Sequence, residues 1–324
     1  MKTMGLLISH KNKEGRRALL PEDVSGVRNK AQLFFETGYG ESLFIDDAAY
    51  AATGAHIVSR EEALACDVIC DVKLGNADYI ESLTAPKLLF GWAHAVQMAD
   101  FTSAVLRGGH TVLAWENIYE SNRYVFYRNR EVAGEAAVLH AFRYCGKMPY
   151  DTRVAIFGRG QTSKGALRIL HGLGAQVDVY TFRQEELFKK NLPEYDVIIN
   201  CVLWDVTRTD RVIYRADLQR MKKGALIIDV SCDQDLEIET AHPTTIDDPV
   251  YTVDGVVHYA VDNTPALFPY TATRELSQKL CAMIDPLLEG KPLARMKKAV
   301  VIENGHILDE SITQYRQARG LFVQ

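Results

Sequence analysis

A β-rich run, a glycine turn and a helix follow one another near the middle of the chain, and this unit constrains the fold most. The apolar run covers residues 154–157, and the turn covers residues 158–163. Apolar residues then recur at helical spacing, at Ala166, Ile169, Leu170 and Leu173. A further β-rich run follows at 176–182. Alternation of this kind is typical of a parallel sheet covered by helices.

The remaining sequence carries two more series of β-rich runs. One series lies at 4–9, 32–36, 68–72, 87–90 and 111–114, and the other lies at 196–202, 225–230 and 257–261. Helical patterns at 130–144 and 277–288 are expected to connect two halves of the chain. A length of 324 residues also favours two domains. We predict an α/β protein with two Rossmann-like, doubly wound domains, parallel sheets and a cleft between the domains.

Composition excludes several classes of protein. The formal net charge of −5 gives no basic surface, so nucleic acid is not an expected partner. No apolar run reaches the length of a membrane helix, and the amino terminus has no signal-peptide pattern. The six cysteines are scattered and form no C-x-x-C pair. We therefore expect a cytoplasmic protein with reduced thiols, no bound metal and no membrane partner.

The glycine turn matches a dinucleotide-binding fingerprint. Its glycines let the backbone approach a pyrophosphate, and the free amides at the start of the helix attract negative charge. The expected binding residues are Gly158, Arg159, Gly160, Gln161, Thr162 and Ser163. Glycine in such a turn is often only structural, but the flanking strands favour cofactor binding.

The end of the following strand indicates which dinucleotide binds. Enzymes that use NAD usually place Asp or Glu there, as a partner of the adenosine ribose. This chain has Thr181 instead, with Arg183 just after it. Loss of the carboxylate relieves repulsion of a 2′-phosphate, and a guanidinium binds that phosphate well. The residues favour NADP(H), while NAD(H) and a plain exposed loop arginine stay open as alternatives.

Four further segments carry polar residues where an apolar core would be expected. They contain Arg16, Lys73, His94 and Asp233. Each alone is compatible with a solvated or hydrogen-bonded structural side chain. Three of the four follow predicted strands, and open α/β sheets place their ligand sites at the carboxyl ends of strands.

Several separated motifs occur in an order that resembles a known superfamily. They are R-x-A-L-x-P at 16–21, V-K at 72–73, His94, the glycine turn, D-V-x-x-D-Q at 229–234 and V-x-N-x-P at 261–265. This order is similar to that of the alanine dehydrogenase and lysine-forming saccharopine dehydrogenase superfamily, along nearly the whole chain. The segments at 38–40, 46–50 and 54–55 add to the likeness.

Within that superfamily the pattern is most similar to the N(5)-(carboxyethyl)ornithine synthases. The similar segments lie at 17–21, at 91–94, at 263–267 and at 275–277. The resemblance implies an oxidoreductase acting on CH–NH bonds, which condenses pyruvate with the side-chain amine of ornithine, or of lysine, using NADPH. Ser163 in place of a third glycine, and Gly91 with Trp92 before His94, depart from the alanine dehydrogenase pattern. These departures argue against ammonia as the nitrogen donor.

The resemblance also implies a role for each candidate residue. Arg16 would bind the carboxylate of a 2-oxo acid, Lys73 would contact its keto oxygen, and His94 would act as general acid and base. Asp233 would orient these groups and hold the amine or the nicotinamide ribose. Asn263 would bind near the nicotinamide, and Val202 would also contact the cofactor.

The two bridging helices set the expected domain bounds, and the resemblance implies an assembly. Residues 1–130 with 277–324 would form the substrate domain, and residues 131–276 would bind NAD(P). Members of the superfamily are often homo-oligomers, which is the expected assembly here.

The amine site and the exact reaction stay open. Arg128, Arg130 and Glu131 are candidates for binding the diamine, although a solvated helix start explains them equally well. An alanine or saccharopine dehydrogenase with another nitrogen donor or 2-oxo acid is one rival interpretation. A catalytically silent nucleotide-sensing protein is the other, and retention of all four catalytic candidates argues against it.

Overall fold

Two compact units make up the chain. The computed structural model describes residues 1–202, 204, 208, 210–232 and 236–323. The first unit combines Met1–Tyr127 with Pro269–Gln324, and the second unit is Arg128–Phe268. The second unit ends at Phe268 rather than at the expected 276, because the helix Pro269–Leu288 belongs as a whole to the first unit.

Strands and helices alternate through both units. Sixteen strands lie in the described residues: β1 (Met4–Leu6), β2 (Leu33–Glu36), β3 (His56–Val58), β4 (Val68–Asp71), β5 (Leu88–Gly91), β6 (Thr111–Ala114), β7 (Tyr119–Glu120), β8 (Arg123–Tyr124), β9 (Arg153–Phe157), β10 (Gln176–Tyr180), β11 (Val197–Asn200), β12 (Leu226–Asp229), β13 (Val250–Val253), β14 (Val256–Tyr259), β15 (Val300–Glu303) and β16 (His306–Ile307). The same residues form eleven α-helices: α1 (Pro21–Val24), α2 (Asp47–Ala51), α3 (Arg60–Ala65), α4 (Ala99–Arg107), α5 (Tyr127–Ala141), α6 (Gln161–Gly172), α7 (Glu185–Asn191), α8 (Arg215–Leu218), α9 (Pro269–Leu288), α10 (Ala294–Lys297) and α11 (Glu310–Gln317).

The sheet of the first unit has the order β16-β15-β6-β5-β4-β1-β2-β3. From β6 to β3 all neighbours are parallel, as predicted. At the other edge, β15 runs antiparallel to β6, and β16 runs antiparallel to β15. The turn between β15 and β16 is Asn304-Gly305, with φ of +49° and +78°. An Asn-Gly turn of two residues joins only antiparallel strands, so this edge departs from the predicted parallel sheet.

The sheet of the second unit has the order β10-β9-β11-β12-β14-β13. Its first five strands are parallel, and β13 is antiparallel to β14. The connection is again a two-residue turn with positive φ, Asp254-Gly255. Both units therefore contain a predicted parallel sheet with one antiparallel edge.

Alternate side chains of the strands enter separate cores on the two faces of each sheet. In β9, Ala155 and Phe157 belong to one buried cluster, whereas Val154 and Ile156 belong to another. In the first unit, helix α9 contributes Leu276, Leu280 and Met283 to the cluster that also contains Met4 and Leu6. Apolar cores on both faces are the expected result of helices covering a parallel sheet.

Candidate active site

Arg16 lies in the loop after β1 and is almost completely buried, with 2% of its surface exposed. Its Nε donates to Glu14 Oε1 at 2.8 Å, and its Nη2 donates to Glu14 Oε2 at 2.6 Å. The guanidinium carbon also lies 5.0 Å from the ring centroid of Trp92. A buried cation requires such a partner, and the bidentate pair holds the planar guanidinium in one orientation.

Lys73 follows β4, and its backbone is held by the last residue of that strand. The backbone N–H of Lys73 donates to Asp71 Oδ1 at 2.9 Å, and the Tyr79 hydroxyl donates to Asp71 Oδ2 at 3.2 Å. Burial raises the pKa of Asp71 to about 6, although these hydrogen bonds oppose the rise. Asp71 thus fixes the turn that carries Lys73.

His94 follows β5 in an unusual backbone conformation, with φ of +45°. The backbone N–H of His94 donates to Glu116 Oε1 at 2.5 Å, and that of Ala93 donates to Glu116 Oε2 at 3.2 Å. Both oxygens of one carboxylate therefore hold the turn in which the imidazole lies.

Glu116 is a site residue that the sequence analysis missed. It lies two residues after β6, the strand next to β5. Burial raises the pKa of its carboxyl, whereas the backbone donors and the positive charge of Lys73 act in the opposite direction. The signal was available, because Glu116 follows a predicted strand just as Lys73 and His94 do. The structure brings Lys73, His94 and Glu116 together at the carboxyl ends of β4, β5 and β6.

Two glycines permit the close approach of the turns that carry Lys73 and His94. A Cβ at Gly91 would lie 1.9 Å from the carbonyl oxygen of Asp71, and one at Gly75 would lie 2.1 Å from that of Ala93. Neither position has room for a side chain. The backbones of the two turns are consequently in direct contact, and Gly75 N–H donates to the Trp92 carbonyl at 2.9 Å.

The glycine turn of the second unit has the features of a dinucleotide site. Gly158 has φ of +119°, and a Cβ there would lie 2.8 Å from the carbonyl oxygen of Cys201. A Cβ at Gly160 would meet nothing within 4 Å, so the space beside the start of α6 is open. No side chain caps this helix start, and the buried Oε1 of Gln161 accepts no hydrogen bond from a described residue. These features fit a bound pyrophosphate.

Gly165 allows helix α6 to pack closely against helix α5, a role that the sequence analysis missed. A Cβ at Gly165 would lie 1.9 Å from the Glu131 carbonyl oxygen, and one at Gly134 would lie 2.0 Å from that of Thr162. Helices α5 and α6 therefore cross with their backbones in contact. Ser163 and Ala166 are both buried along this helix.

The residues expected near the adenosine ribose follow β10. Thr181 forms a capping box with Gln184, whose Oε1 accepts hydrogen bonds from the Thr181 backbone N–H and hydroxyl at 3.2 Å each. Arg183 and Arg159 are exposed. The Thr181 side chain is thus engaged locally, while Arg183 extends into solvent.

The remaining cofactor candidates are buried. The Ser231 hydroxyl donates to the Val202 carbonyl, and the Val202 N–H donates to Asn200 Oδ1 at 3.4 Å. Asn263 is 3% exposed and precedes the 3₁₀ turn Thr264–Leu267. Asp233 lies outside the described residues.

The residues suggested for diamine binding take part in helix packing. Arg128 forms an ion pair with Glu131, and Arg168 of α6 reaches the same carboxylate at 3.1 Å. Arg128 also lies 3.6 Å from Glu135. This arrangement supports a structural role for Arg128 and Glu131 at the α5–α6 contact, while Arg130 is exposed.

The described ranges contain neither a metal-binding cluster nor a membrane-spanning helix. No group of three or more His, Cys, Asp or Glu side chains in them is arranged to hold a metal ion. None of the helices within those ranges is both long and apolar enough to cross a bilayer.

A dinucleotide-type unit and a second α/β unit with arginine, lysine and histidine at its site together define an NAD(P)-dependent oxidoreductase. Residues 7–127 match the model of the alanine dehydrogenase/PNT N-terminal domain, and residues 180–314 match that of the C-terminal domain. The chain belongs to the alanine dehydrogenase/PNT family, and its cofactor is NAD(P)(H).

Individual relatives agree with this assignment. The chain is 31% identical over 292 residues to N(5)-(carboxyethyl)ornithine synthase of Clostridium botulinum, covering 85% of this chain and 91% of that protein. It is 27% identical over 319 residues to alanine dehydrogenase 1 of Staphylococcus aureus, covering 86% of this chain and 85% of that one. A solved L-alanine dehydrogenase structure superposes with a TM-score of 0.85 at 24% identity, covering 98% of this chain and 99% of that chain. The predicted superfamily and the two-domain α/β fold are confirmed.

Proposed function

We propose that the enzyme catalyses the NADPH-dependent reductive condensation of pyruvate with the side-chain amine of ornithine, or of lysine. The product is an N-(1-carboxyethyl) amino acid. The observation that carries this proposal is the 31% identity to a carboxyethylornithine synthase along 85% of the chain. The buried Arg16 and the half-buried Lys73 and His94 supply the groups that this chemistry needs.

Arg16 is proposed to bind the carboxylate of the 2-oxo acid. Its guanidinium is always charged, and a planar fork matches a carboxylate better than an ammonium does. Glu14 and the face of Trp92 hold this fork without substrate present. A fixed orientation lowers the entropy lost on binding, so the keto carbon is placed reproducibly.

Lys73 and His94 are proposed to handle charge and protons at the keto carbon. Attack by the neutral amine forms a C–N bond and places negative charge on the former keto oxygen, which a lysine ammonium stabilises. This oxygen takes up two protons, one from the attacking nitrogen and one from His94, and leaves as water when the C=N bond of the protonated imine forms. When bound, the nicotinamide supplies the hydride that reduces the imine carbon to a secondary amine.

Two carboxylates are proposed to organise these groups. Glu116 holds the His94 turn through two backbone N–H groups, and its charge faces Lys73. Asp233 is proposed to orient the reacting groups, as the family pattern implies. The negative charge of Glu116 favours the cationic form of Lys73 that the oxygen requires.

NADPH is proposed as the cofactor on the strength of Thr181 and Arg183. No carboxylate ends β10, and the exposed Arg183 is available to a 2′-phosphate. An alanine dehydrogenase is the second candidate, favoured by the likeness to alanine dehydrogenase 1 over 86% of the chain. That enzyme class takes ammonia in place of the diamine.

Initial rates of NADPH oxidation at 340 nm test the proposal. Pyruvate is supplied with ornithine, lysine or ammonia, and NADH is run in parallel. Turnover with NADPH and a diamine, but not with ammonia, is the expected result. Turnover with ammonia and NADH alone would replace the proposal with alanine dehydrogenase.

A further inference from the structure

The indole of Trp92 lies against the guanidinium of Arg16 in the first unit. The guanidinium carbon is 5.0 Å from the ring centroid, and both side chains are buried, with 2% of Arg16 and 5% of Trp92 exposed. A cation over the face of an indole is attracted by the negative charge of that face. Trp92 therefore restricts the movement of the guanidinium toward the ring, in addition to the restriction that the hydrogen bonds to Glu14 impose.

Glu14 holds the Arg16 guanidinium along one edge. Its two oxygens accept from Nε and Nη2, so a substrate carboxylate would use the edge formed by Nη1 and Nη2. Hydrogen bonds tolerate moderate departures from linearity, and a tilt of the guanidinium about the Glu14 edge displaces Nη1 most. The ring of Trp92 limits this tilt, because it occupies the space on one side of the guanidinium.

A hydrogen bond from the Trp92 indole fixes the orientation of its ring. The indole Nε1–H donates to the Tyr124 hydroxyl at 2.9 Å. Further contacts of the ring are edge-to-face, with Trp115 at 5.2 Å and Phe126 at 6.1 Å between ring centroids. Aromatic packing of this kind is only weakly directional, whereas a buried indole N–H needs an acceptor in one position. The Tyr124 hydroxyl therefore selects the ring orientation that Arg16 meets.

The hairpin of β7 and β8 holds Tyr124 in place. Tyr124 is the register partner of Tyr119, their ring centroids are 5.5 Å apart, and Tyr124 is 7% exposed. The backbone of Trp92 is held separately, since its carbonyl accepts the Gly75 N–H at 2.9 Å. Loss of the Tyr124 hydroxyl thus releases the indole ring and leaves the turn that carries His94 in place.

We propose that Tyr124 is a positioning residue for Arg16, acting through the indole of Trp92. The proposal rests on the proposed function, in which Arg16 binds the carboxylate of the 2-oxo acid. The Tyr124 hydroxyl orients the indole ring, and the ring limits the tilt of the guanidinium. The hydroxyl thereby sets how tightly the enzyme holds the 2-oxo acid, whereas the acid–base step at His94 and the binding of NADPH do not depend on it.

The test compares Tyr124→Phe with the control Tyr195→Phe in the full-length enzyme. Each substitution removes one buried hydroxyl, and that of Tyr195 donates to Asp178 in the second unit at 2.9 Å. For Tyr124→Phe we expect the KM for pyruvate to rise by about five- to tenfold, together with the inhibition constant of oxamate, a carboxylate analogue of pyruvate. Its kcat at saturating pyruvate stays within about twofold of the wild type, and its Kd for NADPH does not change. Tyr195→Phe keeps all of these wild-type values even where its melting temperature falls.

A double-mutant cycle with Trp92→Phe shows whether Tyr124 acts through the indole. Phenylalanine has no N–H to donate, so adding Tyr124→Phe should change the KM of Trp92→Phe by no more than about twofold. Multiplicative losses in the double variant, a wild-type KM in Tyr124→Phe, or a fall in kcat without a rise in KM would overturn the proposal. If Tyr124→Phe does not fold, Trp92→Phe removes the same hydrogen bond from the donor side, and the same split between KM and kcat decides.

Measurements on the wild-type enzyme separate this proposal from the proposed function. KM is determined with whichever amine and 2-oxo acid the wild type uses, so a failure of ornithine and lysine as substrates refutes the proposed function alone. If the wild type neither turns over nor binds any 2-oxo acid, the proposed function and the role of Tyr124 both fail. An active wild type, with an unchanged KM in Tyr124→Phe, refutes only the role of Tyr124.

Discussion

His94 occupies the left-handed region of backbone space, with φ of +45°. Residues other than glycine are uncommon there, and such conformations persist only where the surroundings enforce them. The two backbone hydrogen bonds to Glu116 and the contact of Ala93 with Gly75 supply that enforcement. We infer that the strain serves to present the imidazole at the strand end.

Replacement of His94 by asparagine tests its role as acid and base. Asparagine tolerates the left-handed conformation, so His94→Asn removes the imidazole and leaves the turn intact. We expect kcat to fall by about 10²- to 10⁴-fold, the usual contribution of general acid–base catalysis. The Kd for NADPH should not change. His56→Asn, at an exposed histidine that stacks on Phe34, is the control and should keep wild-type rates. Normal turnover in His94→Asn would remove His94 from the mechanism.

Glu116→Gln is expected to change the pH dependence of the reaction. Burial raises the pKa of Glu116 and glutamine does not titrate, so the part of the acid limb of kcat/KM that protonation of Glu116 causes is lost in the variant. One of the two backbone donors at Ala93 and His94 also loses its acceptor, and we expect kcat to fall about tenfold. The measurement is kcat/KM against pH. An acid limb identical to that of the wild type would show that protonation of Glu116 does not affect the reaction.

The sequence predicted individual site residues where a charged or polar side chain follows an apolar strand. Lys73 and His94 met this condition, and the structure places both at adjacent strand ends. Glu116 met it too, but the W-E-N segment that contains it matched no motif. Gly165 was missed for another reason: its role depends on a helix from a distant part of the sequence, which no local pattern reveals.

At the scale of elements, the crossing of α5 and α6 depends on Gly134 and Gly165. Gly165→Ala places a methyl group 1.9 Å from the Glu131 carbonyl oxygen, which forces the helices apart. We expect a loss of about 1 to 3 kcal/mol in the free energy of unfolding, as for other overpacked sites. The start of α6 should shift as well, which weakens NADPH binding.

Gly172 of the same helix provides the matched control for that prediction. A Cβ at Gly172 would meet nothing within 4 Å. Gly172→Ala should therefore leave stability unchanged or raise it by up to about 1 kcal/mol, through helix propensity alone. Chemical denaturation followed by circular dichroism measures both variants. If Gly165→Ala and Gly172→Ala changed the free energy of unfolding equally, the close contact of α5 and α6 would not be the cause of the loss.

Buried strands were predictable as elements because their apolar runs have few alternative structures. The antiparallel edges were not predicted, although Asn304-Gly305 and Asp254-Gly255 are strong hairpin signals. The strands of those hairpins are short and partly polar, so their sequences give only a weak strand signal. The two turn residues are the stronger indication that a hairpin forms. Helix α9 begins at Pro269 and not at 277, and a proline at the first helical position is the signal that marks this start.

For the whole molecule, Asp71 makes stability depend on pH. Its pKa is about 6 in the folded chain because it is buried, above the value of 3.8 for an exposed aspartate. The folded state thus binds the proton more tightly, and this contribution to stability is lost as pH rises from about 4 to 6. Asp71→Asn removes that loss. Its free energy of unfolding relative to the wild type should increase by about 2 kcal/mol between pH 4 and pH 8. If the free energies of unfolding of Asp71→Asn and the wild type changed equally with pH, this prediction would be contradicted.

The central claim is that the side-chain nitrogen of a diamine becomes bonded to the carbon skeleton of pyruvate. The most direct measurement supplies pyruvate, NADPH and ornithine labelled with ¹⁵N at the side-chain nitrogen, and examines the product by NMR and mass spectrometry. We expect the label in a secondary amine attached to a new CH(CH₃)COO⁻ group. Recovery of unchanged labelled ornithine, with alanine as the only new product when ammonia is added, would contradict the account.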